Sequence, residues 1–209
     1  MNNYVQYGCG MCAPIEWRNF DVSPSLLVQK IPVVGRFITR GSRFPDFPEN
    51  VEYGDIVDGL PVREKSCKAV YCSHVLEHLA LKDFRIALKN TYRYLNRGGT
   101  FRLVLPDLEA LAREYVNSSS SKASHKFMKK SYLGSLSRPK GIEGLLRSWL
   151  GNSNHLWMWD FSSIKYELEN TGFDSVRRAE YGDSDDPHFD TVEDKHRWDG
   201  NLGVECIKP

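Results

Sequence analysis

The 209-residue chain lacks an excess of charge of either sign: 28 Lys and Arg face 27 Asp and Glu, a formal net charge of +1. That balance argues against a partner held by bulk charge, nucleic acid above all, and against an acidic solvating tail. Long apolar runs are also missing. Those present, such as Leu26–Val28 and Ala69–Val70, fall far short of a membrane span. The N-terminal stretch MNNYVQYGCG has no charged segment leading into an apolar one, so no signal peptide is expected. The five cysteines are an odd number without framework spacing, which leads us to expect a reduced, cytoplasmic setting. No internal repeat is visible. What remains is 41% hydrophobic and 26% charged, enough for one ordinary core at a length that suits a single domain over residues 1–209.

Short β-prone runs punctuate the chain. Tyr4–Tyr7 ends at Gly8-Cys9-Gly10, and Trp17–Val22 follows with room for no helix between them. Ser23-Pro24 reads as a helix start, with the helix stopping near Pro32. Residues 41–50 are turn-rich, and Val51–Tyr53 is a brief third strand. Ala69–Cys72 is apolar enough to be buried on both faces, as parallel strands are. The spacing of Phe84, Ala87, Leu88, Thr91 and Leu95 predicts a helix over Lys82–Asn96, with Gly98-Gly99 as its stop. Thr100–Leu105 is a strand ended by Pro106, and Asp107 can cap the next helix. A basic, helical insertion is expected at about 117–150. Ser162–Asn170 reads as a helix, and Val176–Ala179 and Leu202–Ile207 as strands. Residues 180–199 are strongly acidic and could dock on the basic insertion, within one molecule or between two. Strands alternating with helical segments imply an α/β fold with a mostly parallel sheet.

Three motifs carry chemistry. Cys9-Gly10-Met11-Cys12 has the spacing of a redox pair, but the chain turns into a strand where that chemistry needs a helix N-terminus to lower a thiol pKa. The plainer reading is two small residues in a tight loop. His74-Val75-Leu76-Glu77-His78 has the order of an inverted zinc-hydrolase motif, in which His74 and His78 would share one helix face and Glu77 would activate water. It follows directly on a buried strand, and no third ligand is identifiable, so no metal site is expected. His78 bonded in a turn and Glu77 as a local cap is the simpler account. Finally, Gly8-x-Gly10 follows a strand, and Asp21 ends the next one. Residues without side chains let backbone N–H groups approach a ligand, and a carboxylate on the adjacent strand can accept from ribose hydroxyls. No third glycine or helix N-terminus is present for a pyrophosphate, so a nucleoside without phosphates fits better.

Taken in order, Tyr7-Gly8-Cys9-Gly10, Trp17-Arg18-Asn19-Phe20-Asp21, Gly54-Asp55, Leu60-Pro61, Val70–Leu79, Leu95–Thr100 and Leu103–Leu108 resemble the class I S-adenosylmethionine-dependent methyltransferases. The nearest subset is the small type 11-like proteins associated with sugar and polysaccharide genes, which His155–Asp160 and Gly172-Phe173 also resemble. The resemblance covers most of the chain except about residues 117–150. It implies a Rossmann-like, mostly parallel seven-stranded sheet with an antiparallel last strand, in a three-layer sandwich with a small helical insertion. It also implies S-adenosylmethionine as cofactor. Tyr7, Gly8, Cys9 and Gly10 would bind it, with Gly8 and Gly10 passing under its methionine part; Asp21 would hold the ribose, Asp55 with the backbone of Ile56 would face the adenine, and Ser73 would lie beside the sulfonium. Gln6 stands where an acid is usual, and Cys12 replaces the third glycine. A non-catalytic relative of the fold is therefore a further alternative.

Methyl transfer needs an in-line acceptor and a dry site, and a hydroxyl acceptor also needs a base. His74 is the first candidate and His155, with Asp160 to orient it, the second. Tyr7, Tyr71 and Trp157 could face a sulfonium. Asp107 could bind acceptor, though a cap is its better role. The expected partner is a small-molecule or glycan acceptor, with no nucleic acid and no membrane.

Overall fold

The computed structural model describes residues 3–31, 46–135 and 154–209. Seven strands form one sheet: β1 Tyr4–Tyr7, β2 Arg18–Asp21, β3 Val51–Tyr53, β4 Cys67–Ser73, β5 Leu95–Pro106, β6 Asp174–Ala179 and β7 Asn201–Ile207. Their order is β3-β2-β1-β4-β5-β7-β6. The strands β1 to β5 pair in parallel, and β7 runs antiparallel to both β5 and β6. This is the expected α/β, Rossmann-like sheet. Tyr7 lies opposite both Phe20 and Cys72, so the ends of β1, β2 and β4 open on one edge. No helix separates β1 from β2, as their spacing requires.

The helices are α1 Pro24–Gln29, α2 Leu81–Tyr94, α3 Leu108–Val116, α4 Ala123–Lys130, α5 Phe161–Thr171 and α6 Lys195–Trp198. Helix α2 stops before the glycine pair predicted to end it. Leu95 is already extended and begins β5. Gly98, at φ +75°, turns the strand instead. Its N–H donates to the Lys208 carbonyl (2.7 Å), and the Lys208 N–H donates to Gly99 (2.9 Å), so pairing with the C-terminal chain captures the glycines. Asp107 caps α3 and accepts from the Ala110 N–H. Asp160 and Ser163 form a reciprocal capping box on α5, which ends at Gly172 with φ +109°.

The sheet is covered unequally. On one face Phe84, Ala87 and Leu88 of α2 and Ile164 and Leu168 of α5 pack with Val5, Val70, Phe101, Leu103 and Val204. On the other, the short turns Pro187–Thr191 and α6 bring Phe189, Val192 and Trp198 against Trp17, Tyr71 and Val104. The third layer is therefore thin, built of turns rather than long helices. Arg102 of β5 is fully buried within it. It pairs with Glu193, Glu205 (2.9 Å) and Asp183 (2.9 Å) and lies 4.5 Å from the Trp198 ring.

That arrangement also redirects the acidic stretch. Among the described residues it docks on Arg102 and Arg177, not on the basic insertion. Lys126 and Lys130 of α4 pair instead with Glu114 of α3. Helix α4 is the described part of the expected insertion; residues 136–150 lie outside the described residues, as do 41–45 of the turn-rich loop.

Candidate functional site

The chain leaves β1 toward β2 and β4 toward β5, in opposite directions along the sheet. The crevice at such a switch point is where open α/β sheets bind ligands. There Tyr7, Gly8, Cys9, Gly10 and Ser73, with Gln6 and Arg197, line a cleft of about 530 Å³. Gly8 (φ +65°) and Gly10 (φ +55°) both have left-handed backbone. A Cβ on Gly8 would strike Val75 Cγ2 at 2.1 Å, so this glycine lets β1 lie against the chain leaving β4. A Cβ on Gly10 would meet nothing within 4 Å, so this glycine keeps backbone accessible from the cleft. The residues thus suit a nucleoside-type group, with bare backbone where it would rest.

Asp21 is buried at the end of β2. Its Oδ2 accepts from the Gly10 N–H (2.9 Å) and its Oδ1 from the Ser23 N–H (2.8 Å). It thereby fixes the glycine turn from behind. Gln6 donates to the Cys12 carbonyl (2.8 Å) and to Asn19 (2.6 Å), holding the same loop from the other side. Burial pushes the Cys9 thiol up to about 12, so it carries no thiolate near neutrality. Cys9 and Cys12 are both free. Asp55 accepts from the Val57 N–H (2.8 Å) and turns its own loop. Ile56 is buried in the core, with its carbonyl taken by Asn90 (2.7 Å). Among the described residues, Asp21, Asp55 and Ile56 do not line the cleft; Asp21 reaches it only through the Gly10 N–H.

Beyond the end of β4 a second cavity opens, lined in part by His74, Glu77, His78, Asp107, Tyr132 and His155. The H-x-x-E-H stretch is not a long helix but a bend into a 3₁₀ turn at Leu76–His78, with His74 at φ +54°. Glu77 does not act as a cap. Its side chain is wholly buried, and neither oxygen has a hydrogen-bond partner among the described residues. His155 arrives from the segment before α5, held because the N–H groups of Leu156 and Trp157 both donate to the Glu77 carbonyl (2.7 and 3.1 Å). Burial lowers the His155 pKa, against the raising effect of Glu77.

The family model described as "Methyltransferase domain" matches residues 35–103. A SAM-dependent methyltransferase from Archaeoglobus fulgidus is similar over 98% of this chain and 85% of that one, with a TM-score of 0.52 and 15% identity. One from Thermotoga maritima is similar over 99% and 82%, with a TM-score of 0.51 and 16% identity. The chain has the methyltransferase fold. The comparison with curated proteins finds no match. In this fold the glycine turn after β1 and the bend after β4 stand side by side, as the sequence motifs require.

Several candidates have other duties. Asp160 serves α5 as its cap and does not orient His155. Asp107 is a cap and faces Arg178 at 3.5 Å. The Tyr71 ring packs against Trp17 and Phe189. Trp157 is half-exposed beside Trp159. Arg197 is the residue that sequence reasoning passed over. From α6 it donates to Ser73 Oγ (3.0 Å) and to the Ser73 carbonyl, placing a guanidinium in the lining of the cleft. Its only sequence signal is that it is one of two Lys or Arg residues in the acidic 180–199 stretch.

Proposed function

We propose that this chain is an enzyme that transfers a methyl group from S-adenosylmethionine to an oxygen of a small-molecule or glycan acceptor. The coarse part, S-adenosylmethionine-dependent methyl transfer, is supported by the family match and the fold. The observation that carries the reading is the Gly8–Gly10 turn, open to a cleft at the switch point and pinned by Asp21. Tyr7, Gly8, Cys9 and Gly10 would lie along the methionine part of the cofactor, and Asp21 beside the ribose. Asp55 and Ile56, which lie off the cleft lining, retain the adenine edge as their proposed place. Arg197, beside Ser73, offers a charge-assisted partner to the amino-acid carboxylate. When bound, the sulfonium supplies an electrophilic methyl group, so the chain's own task is to place the acceptor in line and exclude water.

The histidine-lined cavity adjoins that cleft across Ser73 and His74 and is proposed as the acceptor side. A hydroxyl acceptor placed there would take the methyl group, with the S–C bond pair left on sulfur, and would need a residue of the chain to take its proton. His74 is the proposed base. Its Nε2 lies 2.9 Å from the Arg197 carbonyl, which can only accept, so Nε2 carries a proton and Nδ1, 3.2 Å from Glu77 Oε1, is the nitrogen proposed to receive one. His155 is the poorer proton acceptor, because burial lowers its basicity.

Calorimetry with S-adenosylhomocysteine tests the reading, with 1:1 binding as the expected result. Asp21→Ala should weaken it by roughly 1–3 kcal/mol by removing the ribose acceptor and loosening the turn. Absence of heat and of thermal shift in the intact chain would overturn the proposal.

A further inference from the structure

Behind the end of β4 a fully buried carboxylate is ringed by imidazoles. From Glu77 Oε1, His74 Nδ1 lies at 3.2 Å, His155 Nε2 at 3.9 Å and His78 Nε2 at 4.0 Å. The 3.2 Å approach is out of line for a hydrogen bond, and both Glu77 oxygens lack one among the described residues. The far sides of two rings are fixed by backbone. His74 donates from Nε2 to the Arg197 carbonyl (2.9 Å), and His78 donates from Nδ1 to the Asn154 carbonyl (3.2 Å). His74 Nδ1 thus faces a buried carboxyl group that has no hydrogen-bond partner among the described residues, a need that a cation seated among these groups would meet. His78, anchored through its far N–H to a carbonyl with its other nitrogen toward Glu77, has the arrangement found in metal-bound histidines, whereas His155 Nδ1 is buried without a hydrogen-bond partner among the described residues.

We propose that Glu77, His78 and His155 hold one divalent transition-metal ion on the acceptor side of the site. Their ligand atoms lie within 4.8 Å of one another, and the side chains would draw together on an ion to reach bonds of roughly 2.0–2.2 Å. Two imidazoles and one carboxylate favour zinc, cobalt, iron or manganese over calcium or magnesium. The assignment departs from the hydrolase pattern, because Glu77 becomes a ligand and His155 the third one. The existence of the site stands on these residues alone; its role rests on the methyl-transfer reading. Three protein ligands leave a position open to the cavity, where an acceptor oxygen can bind. A hydroxyl held there becomes more acidic. Its proton passes to His74 Nδ1 while the oxygen takes the methyl carbon and the S–C bond pair stays on sulfur.

The test uses the full chain, stripped with a chelator and checked for folding by circular dichroism. It is titrated with zinc alone by calorimetry and with cobalt(II) alone by visible absorption. One ion per chain is expected, with cobalt bands of a nitrogen and oxygen site. Glu77→Gln and His155→Ala should each weaken binding by more than about tenfold. His78→Ala, at a more exposed ring, serves as the third variant should either buried change unfold the chain. No ion on the wild-type chain, or unchanged affinity in His155→Ala and His78→Ala, would overturn the site. S-adenosylhomocysteine binding to the stripped protein is read separately. Its loss with metal binding intact would sink methyl transfer while supporting the metal site.

Discussion

The two glycines of the turn after β1 do different work, and substitution separates them. Gly8 gives up its side chain to the protein: an alanine there would drive its Cβ into Val75. Gly8→Ala should destabilise the fold by about 1–3 kcal/mol through overpacking, read as a lower urea midpoint. Gly10 gives up its side chain to the cleft, where an alanine Cβ would meet no atom within 4 Å. Gly10→Ala should cost only about 1–2 kcal/mol of backbone strain, yet weaken S-adenosylhomocysteine binding beyond that. Equal effects on stability and binding in both variants would show that the turn does not face the ligand.

At the scale of elements, the capping box of α5 sets where His155 enters, because Asp160 ends the segment that carries it. Asp160→Ala should cost about 0.5–2 kcal/mol, seen as a lower melting temperature. The Asp160 carboxyl is held below its usual 3.8 by the N–H and hydroxyl of Ser163. Two other aspartates are held low as well. For Asp183, burial acts upward but the Arg177 and Arg102 guanidiniums outweigh it. For Asp186, burial is outweighed by the backbone and ring of His188 and the Tyr4 hydroxyl. A carboxyl with a depressed folded-state pKa stabilises fully above the unfolded value and loses that contribution as pH falls through the folded one. The contribution of all three should therefore hold down to about pH 4 and fade below it. The stability gap between wild type and Asp160→Ala should close over the same range, as an acid series of melting curves would show.

At the scale of the whole molecule, Arg102 joins the thin layer to the sheet. Fully buried, it gathers Glu193, Glu205, Asp183 and the Glu180 carbonyl, so the chain between β6 and β7 is fastened to β5. Arg102→Ala would strand the buried Glu193 and should cost about 3–5 kcal/mol. Arg177, 43% exposed, bonds two of the same acids, and Arg177→Ala should cost at most about 1 kcal/mol. Because α6 brings Arg197 to Ser73, loosening this layer should also weaken S-adenosylhomocysteine binding. Denaturant melts and calorimetry on the two variants check both expectations.

The strands, the bare turn after β1 and the acid ending β2 were legible in the residues, because each depends on neighbours a few positions away. Alternation, turn chemistry and the short gap between β1 and β2 leave little choice there. The glycine pair after α2 misled, because Lys208, over a hundred residues on, takes its hydrogen bonds. Arg102 reads as one polar residue in an apolar strand until its acids arrive from the far end of the chain. The histidine cluster is of the same kind: the bend after β4 supplies Glu77 and His78, but His155 reaches them only because backbone N–H groups near α5 bond to the Glu77 carbonyl. Groups compensating one buried charge need no common spacing in the chain, so only folding could assemble them.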